Sequence, residues 1–350
     1  MTNVALDTLG PALEPVPPAQ SRGRPSNHPV ARFLLRRMLS GIVTLLVVSV
    51  LIFFTLHVIP GDVARTILGR DATPQAIADL RNELGLNASF LSQYLGWIGG
   101  LLHGDLGDSA TALARNNTDP AVWGVIGTPL RNSIYLAVIT AALLIPLGML
   151  LGVWAAVRVR KLGDHVISVS ALTLGSMPEF LVATILIAVF FLGLDLLPPI
   201  VSIGPGETPL SHADQLVLPV ATLLAVCLAF TIRMVRAGTI EALQQDYVAM
   251  ARLNGVPERR VLWHYGLRNA LTPSVQAIGQ TIQYLAGGII ITESVFNYPG
   301  IGRALVQAVS SRDITTVADI TLILATFYIA VNIAADLIVV LIVPKLRTAL

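Results

Sequence analysis

The chain is poor in charge and poorest of all in lysine and cysteine. Asp, Glu, Lys and Arg together make up 13% of its 350 residues, and its only lysines are Lys161 and Lys345. Neither follows a glycine, so the Gly-Lys-[Ser/Thr] end of a phosphate-binding loop is missing and the chain offers no P-loop site for ATP. Cys227 is the single cysteine, which excludes an intrachain disulfide and any Cys-x-x-Cys centre. The six histidines are scattered, and no His-Glu-x-x-His or Gly-x-Ser-x-Gly arrangement occurs. An enzyme is therefore poorly supported, and no catalytic residue, metal site or bound cofactor is expected in this chain. No solenoid-like or inverted repeat is evident.

What the chain has is apolar length. Hydrophobic residues make up 54% of it and the mean hydropathy is +0.72, too apolar for a water-soluble domain. Six runs can cross a hydrocarbon layer of about 30 Å: 38–59, 133–157, 166–191, 216–234, 273–295 and 317–343. Each is expected to be a helix, because in lipid the backbone must satisfy its own hydrogen bonds. The expected fold is all-α and polytopic. Its parts are a tail (1–37), a first span (38–59), a long outer segment (60–131), a core of spans two to six (132–343) and a short C-terminus (344–350). Six prolines among the first 30 residues point to disorder there. The first apolar run has no small-residue cleavage site after it, so it reads as a retained span.

Charge sets the expected orientation. Sixteen of the 23 basic residues fall on one side of a six-span arrangement: in the tail, in the turn Arg158, Arg160, Lys161, in the insert near 233–268 and at Lys345 and Arg347. That side is cytoplasmic by the positive-inside rule, and with it both termini. The short outer loop 193–215 carries no Lys or Arg, in keeping with the same assignment.

The insert 238–272 lies between two apolar runs. Leu243, Tyr247, Met250 and Leu253 recur at helical spacing and suggest one apolar stripe on a short helix. Asn254 and Gly255 stop it, since glycine readily takes the left-handed conformation at a helix end. Val256, Pro257 and Glu258 then open a second helix with proline in its first turn, before the chain re-enters the membrane at Pro273. Two short helices at a glycine elbow make a knob suited to a groove on a partner. The same pattern also suits a hairpin resting on lipid headgroups.

The segment QDYVAMARLNG (245–255), followed by PERRVLWH (257–264) and LRNALTP (267–273), resembles the coupling loop of ABC importer permeases of the dipeptide, oligopeptide and nickel type. In order along the chain, LLRR (34–37), PGD (60–62), LGL (84–86), GDLG (104–107) and ESVFNYPGIGR (293–303) match the same family, so the resemblance spans about Arg32 to Leu346. A first span followed by a long outer segment is similar to the B-type subunit. The resemblance implies a type I permease forming half of a translocation path for peptides. It also implies a second homologous permease subunit, two cytoplasmic ATPase subunits that use ATP and Mg, and an extracytoplasmic solute-binding protein. Further implications are residence in a prokaryotic plasma membrane, contact with membrane lipid, and no nucleic-acid partner. The coupling residues it points to are Leu243, Asp246, Tyr247, Met250, Ala251, Arg252, Gly255 and Val256. The family's Glu-Ala-Ala-x-x-x-Gly motif aligns with Ala249, Met250, Ala251 and Gly255, so its glutamate is replaced and docking is expected to rest on shape rather than on a carboxylate.

Three acids lie in or near spans. Glu179 follows Pro178 in the middle of the third run, where an exposed charge costs about 2.5–3.5 kcal/mol, so it is expected to face the path or a polar partner. Pro178 removes a backbone hydrogen bond and is expected to kink that helix. Glu293, near the outer end of the fifth run, is a further path candidate or an interfacial group, and Asp336 reads as structural. In the outer segment, residues 73–84 read as an amphipathic helix ending at Gly85, and Phe90, Tyr94 and Trp97 belong to a second apolar cluster suited to the interface. Two alternatives remain at this point: a self-contained ion-coupled transporter or channel using Glu179 and Glu293, and a membrane scaffold whose insert recruits soluble proteins.

Overall fold

Helix follows helix because almost every apolar run is too long for a strand and is bounded by caps or glycines. The computed structural model describes residues 29–58, 63–69, 72–115, 119–204 and 206–342. The helices among them are α1 (Pro29–Val58), α2 (Val63–Leu68), α3 (Pro74–Glu83), α4 (Phe90–Leu102), α5 (Ala110–Ala114), α6 (Val122–Val157), α7 (Leu162–Ser176) and α8 (Glu179–Ile187). They continue with α9 (Ala213–Leu243), α10 (Asp246–Leu253), α11 (Glu258–Arg260), α12 (Arg268–Val295), α13 (Ile301–Ser310) and α14 (Ile314–Ile342). π-helical turns extend α8 (Ala188–Gly193) and join α11 to α12 (Val261–Leu267). Among the described residues the only β-pairing is an isolated bridge between Asp108 and Ala121. The expected disorder of the first residues and the C-terminal segment 344–350 lie outside the described residues.

Among the described residues four helices are long and apolar enough to cross a membrane, α1, α6, α9 and α14, or five spans if α7 and α8 together count as one bent span. The expected run 273–295 lies in α12, which is long enough, since its 28 residues reach about 42 Å at 1.5 Å per residue. It is polarity that sets α12 apart. Gln276, Gln280, Gln283 and Glu293 interrupt its apolar residues.

Boundaries differ from the expected ones in instructive ways. α1 begins at Pro29, inside the expected tail, and α6 begins at Val122, eleven residues ahead of the expected second span. α6 runs unbroken through Pro129 and Pro146. The third run bends at Pro178 as expected, but further than a kink, because the helix is interrupted there. α7 stops at Ser176, Pro178 takes an extended conformation (φ −60°, ψ 142°) as the cap of α8, and the two helices meet at 107°. The reason is that Pro178 has no N–H to donate and disfavours helical geometry at Met177.

Small residues let the core helices approach. Gly148 and Gly152, four apart on α6, sit against α9; a Cβ at these positions would lie 2.6 Å from Thr231 Cγ2 and 2.7 Å from Val235 Cβ. Gly279 of α12 meets Ala335 of α14 in the same way, at 2.6 Å. Thr231 and Thr281 add a 3.0 Å hydroxyl contact between α9 and α12. Around these lie Leu136, Leu144, Leu218, Leu223, Leu285 and Ile289, the buried centre of the bundle.

The described part of segment 60–131 is folded as its capping signals require. Thr73 Oγ1 accepts from Ala76 N at 3.2 Å to start α3, and Gly85 (φ +62°) closes it, with Leu86 N donating to Arg81 O at 3.0 Å. The aromatic face of α4 packs on α1, where Phe53 lies 5.4 Å from Phe90 and 5.5 Å from Trp97 between ring centroids. Trp97 Nε1 reaches Asp319 Oδ1 of α14 at 2.7 Å. Asp313 then ties the segment to the core by accepting from Ser109 Oγ (2.5 Å), Thr111 Oγ1 (2.8 Å) and Ala110 N (3.2 Å).

Candidate coupling elbow and pathway residues

The insert is not the hairpin of two free-standing helices that the pattern suggested. Its first residues, Gly238 to Leu243, are the last turns of α9, so Leu243 belongs to a different helix from Tyr247, Met250 and Leu253. At Gln245 the backbone turns extended (φ −69°, ψ 149°), and α10 starts afresh with a different face inward. Val248 and Ala251 are buried, against Val261 and the partly buried Leu243, Val256 and Tyr265. Tyr247, Met250 and Leu253 point outward, 39%, 61% and 82% exposed. The apolar stripe therefore exists, but it is on the surface.

The glycine elbow has the expected geometry. Gly255 sits at φ +74°, its N–H donates to Arg252 O at 3.0 Å, and Val256 N donates to Ala251 O at 3.1 Å. This is the left-handed helix stop with an apolar contact between the residue beyond it and the helix's last turn. A Cβ at Gly255 would meet nothing within 4 Å, so only the backbone conformation demands glycine there. Arg252 braces the elbow through Glu258, with Nη2 to Oε1 at 2.6 Å and Nε to Oε2 at 3.1 Å. These hydrogen bonds hold the Glu258 carboxyl below its ordinary range, so the brace is lost only as pH falls through that lowered value. Asp246 stands in the first turn of α10, the favourable end of the helix dipole for an acid.

Beyond the elbow Pro257 is the cap of α11 rather than a residue of its first turn (φ −62°, ψ 140°). The chain then continues without a loop: α11, the π turn and α12 are one run of helical backbone from Glu258 to Val295, through position 273. Gly266 in the π turn lets Leu243 close in, since a Cβ there would lie 2.6 Å from Leu243 Cδ2.

At the break between α7 and α8, Glu179 is the first residue of α8 and only 4% exposed. One oxygen accepts from Thr292 Oγ1 of α12, and the other has no hydrogen-bond partner among the described residues. The space it occupies exists because Gly288 has no side chain: a Cβ there would lie 2.5 Å from Glu179 Oε2. Glu293 is fully buried and completely engaged. It accepts from Ser133 Oγ of α6, from Gly302 N at 2.7 Å and from Arg303 N at 3.2 Å, closing the first turn of α13. Tyr298 hydroxyl donates to Asn132 O at 2.6 Å, and Asn132 Nδ2 returns a bond to Pro299 O at 2.9 Å. Glu179 and Glu293 thus lie on separate contacts of α12, with α8 and with α6 and α13. Asp336 Oδ2 lies 3.0 Å from Arg37 Nε, a charge contact between α14 and α1 without hydrogen-bond alignment.

One ion pair had no sequence signal. Arg236 of α9 grips Asp164 of α7 with both nitrogens, Nε to Oδ1 at 2.6 Å and Nη2 to Oδ2 at 2.9 Å, while Arg160 N adds 3.0 Å. The partners stand 72 residues apart in sequence, and neither belongs to a recognisable motif. Val248 and Val261 were missed for a simpler reason. Reading the phase of α10 from its own start, rather than from Leu243, would have found Val248, whereas Val261 lies in the π turn and meets α10 only through the fold of the elbow.

Comparison with known proteins agrees with this architecture. Residues 148–348 match the family described as binding-protein-dependent transport system inner membrane component, and residues 30–116 match its N-terminal membrane component. The chain is 34% identical over 317 residues to a probable peptide ABC transporter permease protein of Sinorhizobium fredii, covering 90% of this chain and 99% of that one. It is 37% identical over 321 residues to a putative peptide permease protein of Brucella ovis, covering 90% and 99%. It is also 34% identical over 315 residues to the glutathione transport system permease protein GsiC of Escherichia coli O6:H1, covering 90% and 98%. A self-contained ion-coupled transporter finds no support among these relatives. With a matched segment of more than half its length and relatives alike from end to end, the chain belongs to the binding-protein-dependent permeases, the inner-membrane components of ABC importers.

Proposed function

We propose that the chain is the B-type permease subunit of a peptide importer. It pairs with a second homologous permease, two cytoplasmic ATPase subunits that use ATP and Mg, and an extracytoplasmic solute-binding protein. The chain itself is a non-catalytic membrane subunit and holds no cofactor. α12 is the remaining span of a six-span arrangement in a prokaryotic plasma membrane, with both termini cytoplasmic and 60–131 outside. Peptide as the substrate class is supported by the names of the relatives, two described for peptides and one for glutathione.

The observation that carries the coupling assignment is the outward face of α10. A short helix fixed from behind by Val248 and Ala251, and stopped by a left-handed glycine, presents Tyr247, Met250 and Leu253 to the surface. Exposed apolar side chains on a rigid knob fit a groove on an ATPase. In this reading Tyr247, Met250 and Arg252 make contact, Leu243, Ala251 and Val256 form the support, and Asp246 and Gly255 set the ends of α10. Pro178 and Glu179 belong to the path wall at the break in the third span. Glu293 holds α6, α12 and α13 together at the outer end of that path.

The experiment is a cysteine crosslink. With Cys227 changed to Ser, a cysteine at Met250 or Tyr247 should crosslink to a cysteine on the ATPase surface in the assembled complex. If neither does, α10 rests on lipid headgroups and the coupling assignment is wrong.

A further inference from the structure

A cavity of about 440 Å³ opens between α7, α9, α12 and α14. Its polar wall is Arg233 from α9, Gln280, Gln283 and Tyr284 from α12 and Tyr328 from α14, with Phe230 beside Arg233. Arg233 is exposed and, among the described residues, has neither an ion-pair nor a hydrogen-bond partner; the same holds for the amides of Gln280 and Gln283. No carboxylate lines the cavity.

Two independent features set this wall apart from a lipid-facing surface. On α12, Gln276, Gln280, Gln283 and Tyr284 recur at three- and four-residue spacing, so the exposed face of that helix is polar over at least two turns. α1, by contrast, exposes Leu35, Met38, Leu39, Ile42, Val43 and Leu46. An unpaired guanidinium and a row of amides are costly against hydrocarbon and are retained where water or solute meets them. Arg233 lies twenty residues into α9, about 30 Å from its start, which places it toward the far end of the hydrocarbon layer.

We propose that this cavity is a subsite for the anionic end of the passing solute, with the Arg233 guanidinium as the counter-charge and the two glutamines and two phenols as neutral hydrogen-bonding partners. A carboxylate fits best, because a planar guanidinium binds it through two parallel bonds. The inference rests on the reading of the chain as a solute-path subunit and adds a charge preference to it.

The test separates the two. In a Cys227→Ser background, a Gln280→Cys variant of the full complex is labelled with thiosulfonate reagents carrying either a sulfonate or a trimethylammonium group. The sulfonate should react about tenfold faster, and Arg233→Gln should abolish that preference while Arg233→Lys keeps it. Arg233→Met serves as a second neutral variant should the glutamine variant fail to assemble. In uptake, Arg233→Gln should raise KM about tenfold for a peptide with a free C-terminal carboxylate and leave its C-terminally amidated analogue unchanged. If the wild-type complex imports neither peptide, the peptide assignment falls, and the labelling still decides the charge of the cavity. A Gln280→Cys thiol unreachable by either reagent, or a preference unchanged by neutralising Arg233, would overturn the inference. So would a sulfonate preference seen in phosphatidylcholine vesicles and lost in phosphatidylglycerol, which would assign Arg233 to a lipid phosphate.

Discussion

At the scale of single residues, the elbow and the two buried acids make opposite demands. Gly255→Val forces a branched side chain into the left-handed region, a local cost of about 1–2 kcal/mol or somewhat more, with no clash. The expected outcome is a complex that assembles and hydrolyses ATP but imports poorly. Gly255→Asn, which tolerates that conformation, should restore much of the uptake. Glu293→Ala is different in kind: it strands Gly302 N and Arg303 N, each worth about 1–3 kcal/mol when left unpaired, and takes the acceptor from Ser133 Oγ, which keeps only the bond it accepts from Ile301 N. Its thermal midpoint in detergent should fall well below that of Glu179→Ala, which removes only the acceptor for Thr292. Glu179→Ala should instead lower uptake more than assembly, and equal loss of both would leave Glu179 a helix-packing group. Gly255 and the Thr73 cap were legible in the sequence because their geometry is decided within a few residues. The partners of Glu179 and Glu293 were not, since Thr292 and Ser133 lie 113 and 160 residues away.

At the scale of elements, helix identity was legible and helix continuity was not. Apolar length found the helices, yet Pro146 inside α6 and Pro178 between α7 and α8 had opposite consequences. The neighbouring helices decide which proline is tolerated, and that information is tertiary. The inward-facing Val248 went unread, and Leu243 was joined to the stripe of α10, for a related reason, because a two-residue break at Gln244 and Gln245 resets the helical phase. Two contacts between elements can be tested. Asp164→Ala should destabilise the chain by about 2–3 kcal/mol, below the 3–5 of a fully buried pair because Arg236 is partly exposed. Exchanging the pair as Asp164→Arg with Arg236→Asp should recover part of that loss in a double-mutant cycle. Gly152→Leu should abolish stable assembly, measured as recovery of monodisperse complex from membranes, because Val235 leaves no room between α6 and α9.

At the scale of the whole molecule, family and membrane class could be read from composition and ordered motifs; among the described residues four or five crossings stand out by apolar length, and the sixth of the expected arrangement rests on α12. The glutamines that lower the apolarity of α12 are the same residues that line its exposed face, so the helix that looks least like a span is the one with most to say about solute. Reporter fusions after Leu253 and Leu346 should be cytoplasmic, and fusions near Asn87 and Pro205 external; an external signal at Leu253 would reverse the orientation. The unbroken helical backbone from Glu258 to Val295 has a mechanical meaning. A force applied at the elbow would be carried along this helix to Gln280, about 30 Å away, and the π turn at Val261–Leu267, where hydrogen bonds span five residues instead of four, is where its winding departs from the α-helix on the way.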